Sequence, residues 1–362
     1  MYLLKWNKGR YILKKNIKDY NLDQLKEELI DLGEKPYRAE QIFKWIMQDN
    51  VTNFDDMTNI SIDLRNKLKE NFDLHCFNIL QKQVSKDGTI KYLFDVLDGN
   101  AIESVLMEYK HGYTICVSSQ IGCKMGCKFC ASTGVKFARN LSSGEIVEQL
   151  LAIERDENIK ISNLVFMGIG EPLDNFDNVM NAINILNNPK GINMGARHIS
   201  ISTSGLVPKI YELADKKMQC TLSISLHSAS DEKRSKMMPV NKKYNIEELM
   251  KACKYYIEKT NKRISFEYAL AKDNNDNLDD AKDLVKLIKG MLCHVNLIPI
   301  NKIDNGKYYK STNENIIKFR DYLNEKGIVA TIRRELGSDI DAACGQLRKK
   351  EVNKCEHTQK PI

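Results

Sequence analysis

The sequence predicts an α/β protein: a large core of repeated strand–loop–helix units, with a small helical unit before it and a short extension after it. Three observations carry this. From Thr114 onward, short β-branched runs alternate with amphipathic stretches, the pattern of parallel βα units. Before residue 75 the punctuation is helical instead. The length, 362 residues, exceeds a usual compact domain but suits an open or complete α/β barrel.

In the leading unit Leu22, Leu25, Leu29 and Leu32 recur at three or four residues, and Gly33 stops the helix. Pro36 opens a second helix containing Ile42, Phe43, Trp45 and Ile46, and a third follows around Ile62, Leu64, Leu68 and Phe72. Two Asp-Gly turns, Asp87-Gly88 and Asp98-Gly99, flank the alternating run 90–97, which reads as a β-hairpin or meander linking the helices to the core. Core strands are expected at 114–118, 163–167, 198–203, 221–226, 264–270, 294–298 and 329–332. Helices are expected at 145–157, 176–186, 246–260, 278–291 and 315–326. The expected units are 1–75 (helical), 76–110 (β linker), 111–335 (core) and 336–362 (C-terminal segment). In such a core, chemistry gathers at the C-terminal ends of the strands.

Hydrophobic residues make up 42% and charged residues 28%, which excludes a disordered chain. The net charge of +7 reads first as a solvated surface. Basic residues cluster at Lys5, Lys8, Arg10, Lys14, Lys15 and Lys18, and again at Arg348, Lys349, Lys350 and Lys354; such patches suit a phosphate backbone without identifying one. No apolar run reaches the ~18 residues of a membrane span, and the opening residues do not form a signal peptide, so a cytoplasmic protein with no membrane partner is expected. Ten cysteines in a reducing compartment direct attention to metal or catalytic roles rather than disulfides.

Cys123, Cys127 and Cys130 stand at C-x3-C-x2-C spacing immediately after the first core strand. Three thiolates on one loop can hold three irons of a cubane and leave the fourth open to an amine and a carboxylate. A zinc site lacking one ligand and a purely structural cysteine cluster compete with this. Zinc ordinarily takes a fourth Cys or His at comparable spacing, and His111 and His198 do not supply one. Phe129 could stack on a nucleoside or simply fill the core.

With Cys116-Val-Ser-Ser-Gln, the triple-Cys loop, Cys130-Ala-Ser-Thr-Gly, Met167-Gly-Ile-Gly-Glu-Pro-Leu, Ser202-Thr-Ser-Gly, Ser225-Leu-His, Asn296-Leu-Ile-Pro and the stretch from Asp339 to Leu347, the chain resembles the radical S-adenosylmethionine (SAM) superfamily over nearly its full length. Within it, the chain resembles the adenosine C2 methyltransferases of the RlmN family. The sister family Cfr, which methylates C8, lacks the Ser of Cys130-Ala-Ser-Thr-Gly and the Pro of Gly170-Glu-Pro-Leu. The resemblance implies a partial (β/α)6 barrel, a [4Fe–4S] cluster on Cys123, Cys127 and Cys130, and two SAM per turnover. It implies two RNA substrates, 23S rRNA in its peptidyl-transferase region and the adenosine 3′ of the anticodon in tRNA. An electron donor such as flavodoxin or ferredoxin and a monomeric state are expected with it.

The resemblance also assigns residues. Gly170, Glu171, Ser202, Ser225, Leu226, His227 and Asn301 match SAM-contacting positions; singly, each polar one reads as a satisfied strand-end group, and the glycine as a turn. Cys344, beside Gly345, matches a thiol that carries the methyl group, needed because adenine C2 is electrophilic and closed to direct displacement. Glu103 matches the proton acceptor; without the resemblance it reads as a surface strand residue. Cys116 matches the thiol that releases product by attacking the sulfur of Cys344, its plain alternative being burial in a strand. A C8-specific enzyme and a non-catalytic RNA-binding factor are the competing functions.

Overall fold

The computed structural model describes residues 4–7, 10–134, 136–300 and 307–340. The chain opens with an antiparallel ribbon, β1 (Leu4–Asn7) and β2 (Arg10–Leu13). The helical unit follows: β3 (Lys15–Asn16), α1 (Leu22–Asp31), α2 (Tyr37–Met47), α3 (Ile62–Asn71) and β4 (Phe72–Asp73), with β3 and β4 paired in parallel. Asn21 and Gln24 form a capping box at the start of α1, and Leu22, Leu25, Leu29, Ile42, Phe43, Ile46, Leu64 and Leu68 are buried together.

Four antiparallel strands come next: β5 (Asn78–Val84), β6 (Ile90–Asp95), β7 (Ala101–Tyr109) and β8 (Gly112–Cys116). The short pair β9 (Gln120–Ile121) and β10 (Arg139–Asn140) then brackets the thiol loop. Six βα crossovers complete the core through α4 (Ser143–Glu157), β11 (Ile161–Phe166), α5 (Phe176–Asn187), β12 (Ile199–Thr203), α6 (Val207–Asp215), β13 (Thr221–Ser225), α7 (Asp231–Met237), α8 (Ile246–Thr260), β14 (Ile264–Leu270), α9 (Leu278–Ile288), β15 (Cys293–Pro299), α10 (Asn313–Glu325) and β16 (Ala330–Ile332). The sheet order is β16-β15-β14-β13-β12-β11-β8-β7-β6-β5, parallel from β16 to β8. Its two edge strands do not pair with each other, so the barrel is partial.

Two sequence readings change. The run 90–97 looks alternating, yet residues 90–94 are all buried. One face of β6 packs toward α4, where Tyr92 Oη donates to Asp156 at 2.7 Å, and the other carries Lys91 into the barrel lumen. The hairpin is thus an extension of the sheet itself. Lys18 is also no part of a basic surface: it is fully buried and ion-paired with Glu148 of α4, which Arg155 and the Phe77 N–H also contact. Lys15 pairs with Glu28. The helical unit therefore docks on α4, and one continuous apolar core runs from Ile17 to Ala330.

Candidate active site

Residues paired across a sheet point their side chains to the same face. The pairs Lys91↔Val105, Leu93↔Glu103, Val105↔Cys116, Cys116↔Val165 and Val165↔Ser200 trace that face from β6 to β12. Ser202↔Ser223, Ser225↔Glu267 and Glu267↔Asn296 continue it to β15. The lumen consequently gathers Glu103, Cys116, Ser202 and Ser225, four of the residues singled out from sequence. Glu103 is 3% exposed, not a surface residue, and its Oε2 lies 2.9 Å from Nζ of the wholly buried Lys91. Cys116 is buried among Val105, Met107, Val165, Met167 and Leu336.

Leu336 belongs to the chain after β16, which is tied to the β5–β6 turn. Gly337 N donates to Asp87 Oδ2 at 2.8 Å, and Asp339 accepts from Ser85 Oγ and, at 3.1 Å, from Lys86 N. Those bonds hold Asp87 down at about 2 and Asp339 below the usual carboxylate range, although burial works against Asp87. The described chain thus approaches the lumen at 336–340; Cys344 and Asn301 lie outside the described residues.

The thiol loop leaves β8 where the ladder gives way to side-chain bonds. Gln149 of α4 accepts from Ser118 N at 2.8 Å and donates to Ser118 O at 2.9 Å, standing in for a neighbouring strand. Gln120 reaches Asn140, Asp174 and the Glu171 N–H, all within 2.9 Å, and so joins the start of the loop to its return and to the next strand tip. Within the loop Cys130 N bonds to Cys127 O at 3.2 Å, and Thr133 Oγ1 to Cys127 O at 2.8 Å. Gly122, at φ +79°, is required: a Cβ there would lie 2.4 Å from Lys136 O.

The donor set fits a cubane. Burial first, then Cys130, raises the Cys123 thiol to about 11, and burial, Cys130 and Cys123 push Cys127 up further. A bound metal supplies positive charge that favours the thiolate form of such half-buried thiols. Among the described residues no group of three or more His, Cys, Asp or Glu converges on a single ion. In a cubane each of the three thiolates would bind a different iron, whereas zinc ordinarily takes a fourth protein ligand.

At the other tips, Gly170 has φ +113°, and a Cβ on it would lie 2.7 Å from Gln120 Cβ and Ser119 Oγ. Glu171 is 3% exposed; Leu173 N donates to its Oε1 at 3.1 Å and Ser204 N to its Oε2 at 2.7 Å. Burial raises its pKa against the pull of those donors. Leu226 turns its side chain into the main core, and its N–H donates to Glu267 O. His227 sits at φ +59°, its Nδ1 accepting from Ala269 N at 2.9 Å, so the neutral ring carries its proton on Nε2. Phe129 packs edge-on against it at 4.7 Å.

Sequence reasoning missed several supporting residues. Glu267 is a buried lumen carboxylate that accepts from Ser265 Oγ at 2.7 Å and Asn296 Nδ2 at 2.8 Å. Arg234 of α7 is wholly buried and bonds the carbonyls of Ser204, Ser225 and Leu226. Neither has a sequence signature, because the partners are strand neighbours or backbone atoms.

Comparison with known proteins gives the family. Residues 15–74 match the model for the ribosomal RNA large subunit methyltransferase N-terminal domain, and residues 117–288 match that of the radical SAM superfamily. A probable dual-specificity RNA methyltransferase RlmN of Clostridium novyi (strain NT) is 54% identical over 93% of this chain and 99% of its own. The chain belongs to the RlmN family. A relative with the same description from Thermoanaerobacter sp. (strain X514) is 53% identical over 92% of this chain and 98% of its own. The crystal structure of a radical SAM methyltransferase from Sphaerobacter thermophilus matches with a TM-score of 0.88 at 41% identity, covering 92% of this chain and 98% of that one. As an RlmN-family member the chain is a radical SAM methyltransferase using a [4Fe–4S] cluster and SAM, and its substrate is RNA. Among the described residues no helix is long and apolar enough to cross a membrane.

Proposed function

We propose that this chain methylates C2 of an adenosine in the peptidyl-transferase region of 23S rRNA, and of the adenosine 3′ of the anticodon in tRNA, through a methyl group carried on Cys344. The observation supporting it is the convergence of Cys116 and the Lys91–Glu103 pair on one lumen face with Leu336, whose following residues are tied to the β5–β6 turn. From Ile340 the chain to Cys344 can reach at most about 14 Å. The names of the relatives, dual-specificity RNA methyltransferases, favour two RNA substrates.

In this reading Cys123, Cys127 and Cys130 hold three irons. Gly170 opens space beside the cluster loop, Glu171 accepts from the methionyl ammonium, and Ser202, Ser225, Leu226, His227 and Asn301 surround the remainder of SAM. When bound, the cluster and SAM supply the methyl group and the one-electron chemistry that an electrophilic carbon demands. The Cys344 thiol takes up and presents the methyl. Glu103, ion-paired with Lys91, receives the proton displaced from C2. Cys116 as thiolate then attacks the Cys344 sulfur: an S–S bond forms, the C–S bond to the base breaks, and its electron pair passes to the base-bound methylene, which takes up a proton from solvent to become the methyl group. The proposal includes two SAM per product, a flavodoxin or ferredoxin donor, a monomer and a cytoplasmic setting. Residues 1–75 act as an RNA-gripping accessory, 76–110 as its link, 111–335 as the catalytic core and 336–362 as the carrier segment.

The test is to incubate reconstituted protein with unmodified 23S rRNA and tRNA and digest both to nucleosides. Expected is 2-methyladenosine from each; 8-methyladenosine, or no methylated adenosine, overturns the proposal.

A further inference from the structure

Arg234 is 0% exposed, and every hydrogen bond it makes is to a neutral acceptor. Nε donates to Leu226 O at 3.0 Å, one Nη to Asn241 Oδ1 at 2.7 Å, and the other to Ser204 O at 2.7 Å and Ser225 O at 3.0 Å. Among the described residues no carboxylate lies within ion-pair distance of it. The Asp231 carboxylate, on the same helix, is turned to Asn241 Nδ2 and Ile246 N. A buried guanidinium without a counter-ion is strongly unfavourable, and a neutral side chain could bridge strand tips at lower cost. What lies next to it is the thiol loop. Lys128 N donates to Met237 O of α7 at 2.9 Å, and Met125, Cys127 and Phe129 pack on the apolar group that includes Met237 and Met238.

We infer that the iron–sulfur cluster is the missing counter-ion of Arg234, and that Arg234 is a positioning residue whose charge raises the cluster's reduction potential. A cubane core on three thiolates carries one net negative charge when oxidised and two when reduced. A fixed cation beside it stabilises the reduced state more than the oxidised one. The same guanidinium clamps the tips of β12 and β13, from which Ser202, Ser204, Ser225 and His227 project, so charge placement and strand-tip geometry come from one side chain. The inference rests on the cluster reading above.

The experiment measures the midpoint potential of the reconstituted full-length protein by redox titration followed through the reduced-cluster electron paramagnetic resonance signal. Arg234→Gln keeps an amide that can donate to the carbonyls but removes the charge; its cluster should be harder to reduce by on the order of tenfold, about 59 mV for one electron. Arg234→Lys, which keeps the charge, should stay within a third of that shift. Equal potentials in all three proteins overturn the inference. Should Arg234→Gln fail to fold, amide hydrogen exchange on the wild-type protein decides: 234–238 and Ser204 should be markedly better protected with the cluster than without it, and unchanged protection there overturns the inference. Wild-type protein that takes up no iron would instead defeat the cluster reading itself.

Discussion

Replacing Lys91 by Met tests whether a buried ion pair sustains the lumen carboxylate. The pair is 2.9 Å apart, with side chains 0% and 3% exposed. At an effective dielectric of ~20, such a separation corresponds to about 6 kcal/mol of attraction. Desolvating two ions costs several kcal/mol each, so the intact pair contributes little net stability. Breaking it is another matter: Lys91→Met removes the 2.9 Å counter-charge of the Glu103 carboxylate, and Glu103→Gln that of the ammonium, each costing about 3–5 kcal/mol. The double variant leaves neither charge in place and should be more stable than either single variant, so the coupling energy exceeds the loss in either one, above about 3 kcal/mol. Urea unfolding of the four proteins at neutral pH under one set of conditions reads this directly. Losses that simply add, with coupling under about 0.5 kcal/mol, would refute the argument. Lys91→Met should also depress RNA methylation while leaving SAM cleavage in place, because only the later proton transfer uses Glu103.

Two further outcomes follow from the site. Cys116→Ala should leave cluster assembly and the attachment of the carrier to RNA intact but block release, so the purified variant should carry nuclease-sensitive RNA on denaturing gels; a variant that runs free of RNA and still turns over removes the releasing role from Cys116. His227 is 4% exposed, and burial, with Arg234 behind it, pushes its pKa from 6.5 to about 3. Since the folded value lies below the unfolded one, the folded state binds fewer protons; the His227 contribution is whole above about pH 6.5 and is lost as pH falls from there toward 3. The full shift corresponds to on the order of 5 kcal/mol. His227→Gln, which can still accept from Ala269 N, should flatten the acid side of a melting-temperature profile, and an unchanged acid side would count against this account.

What could be read from the chain depended on how locally each feature is encoded. The core strands were legible because runs such as 264–270 set Ile, Phe, Tyr and Leu on one face between turn signals, and the structure buries every residue of β14, Ser265 and Glu267 included. The thiol loop was legible because its spacing and its glycines are consecutive. Cys116 could be placed in the first core strand, but its proximity to Leu336 could not, since that contact spans most of the chain. Charged residues misled most. Lys18 lies in a basic cluster, Lys91 in an alternating strand and Arg234 in a polar helix, settings that do not announce burial of the charge, yet each is wholly buried. Lys18 finds Glu148 across 130 positions, and Arg234 finds backbone carbonyls, which no side-chain pattern announces. Burial of a charge depends on what the rest of the fold places around it: a hydrophobic period records which face is inside but not what a charge on that face will meet. The reactive atoms of this site are therefore local in sequence, whereas the field acting on them is assembled from β6, α4 and α7, and it is this field that variants at Lys91 and Arg234 alter while every cysteine stays in place.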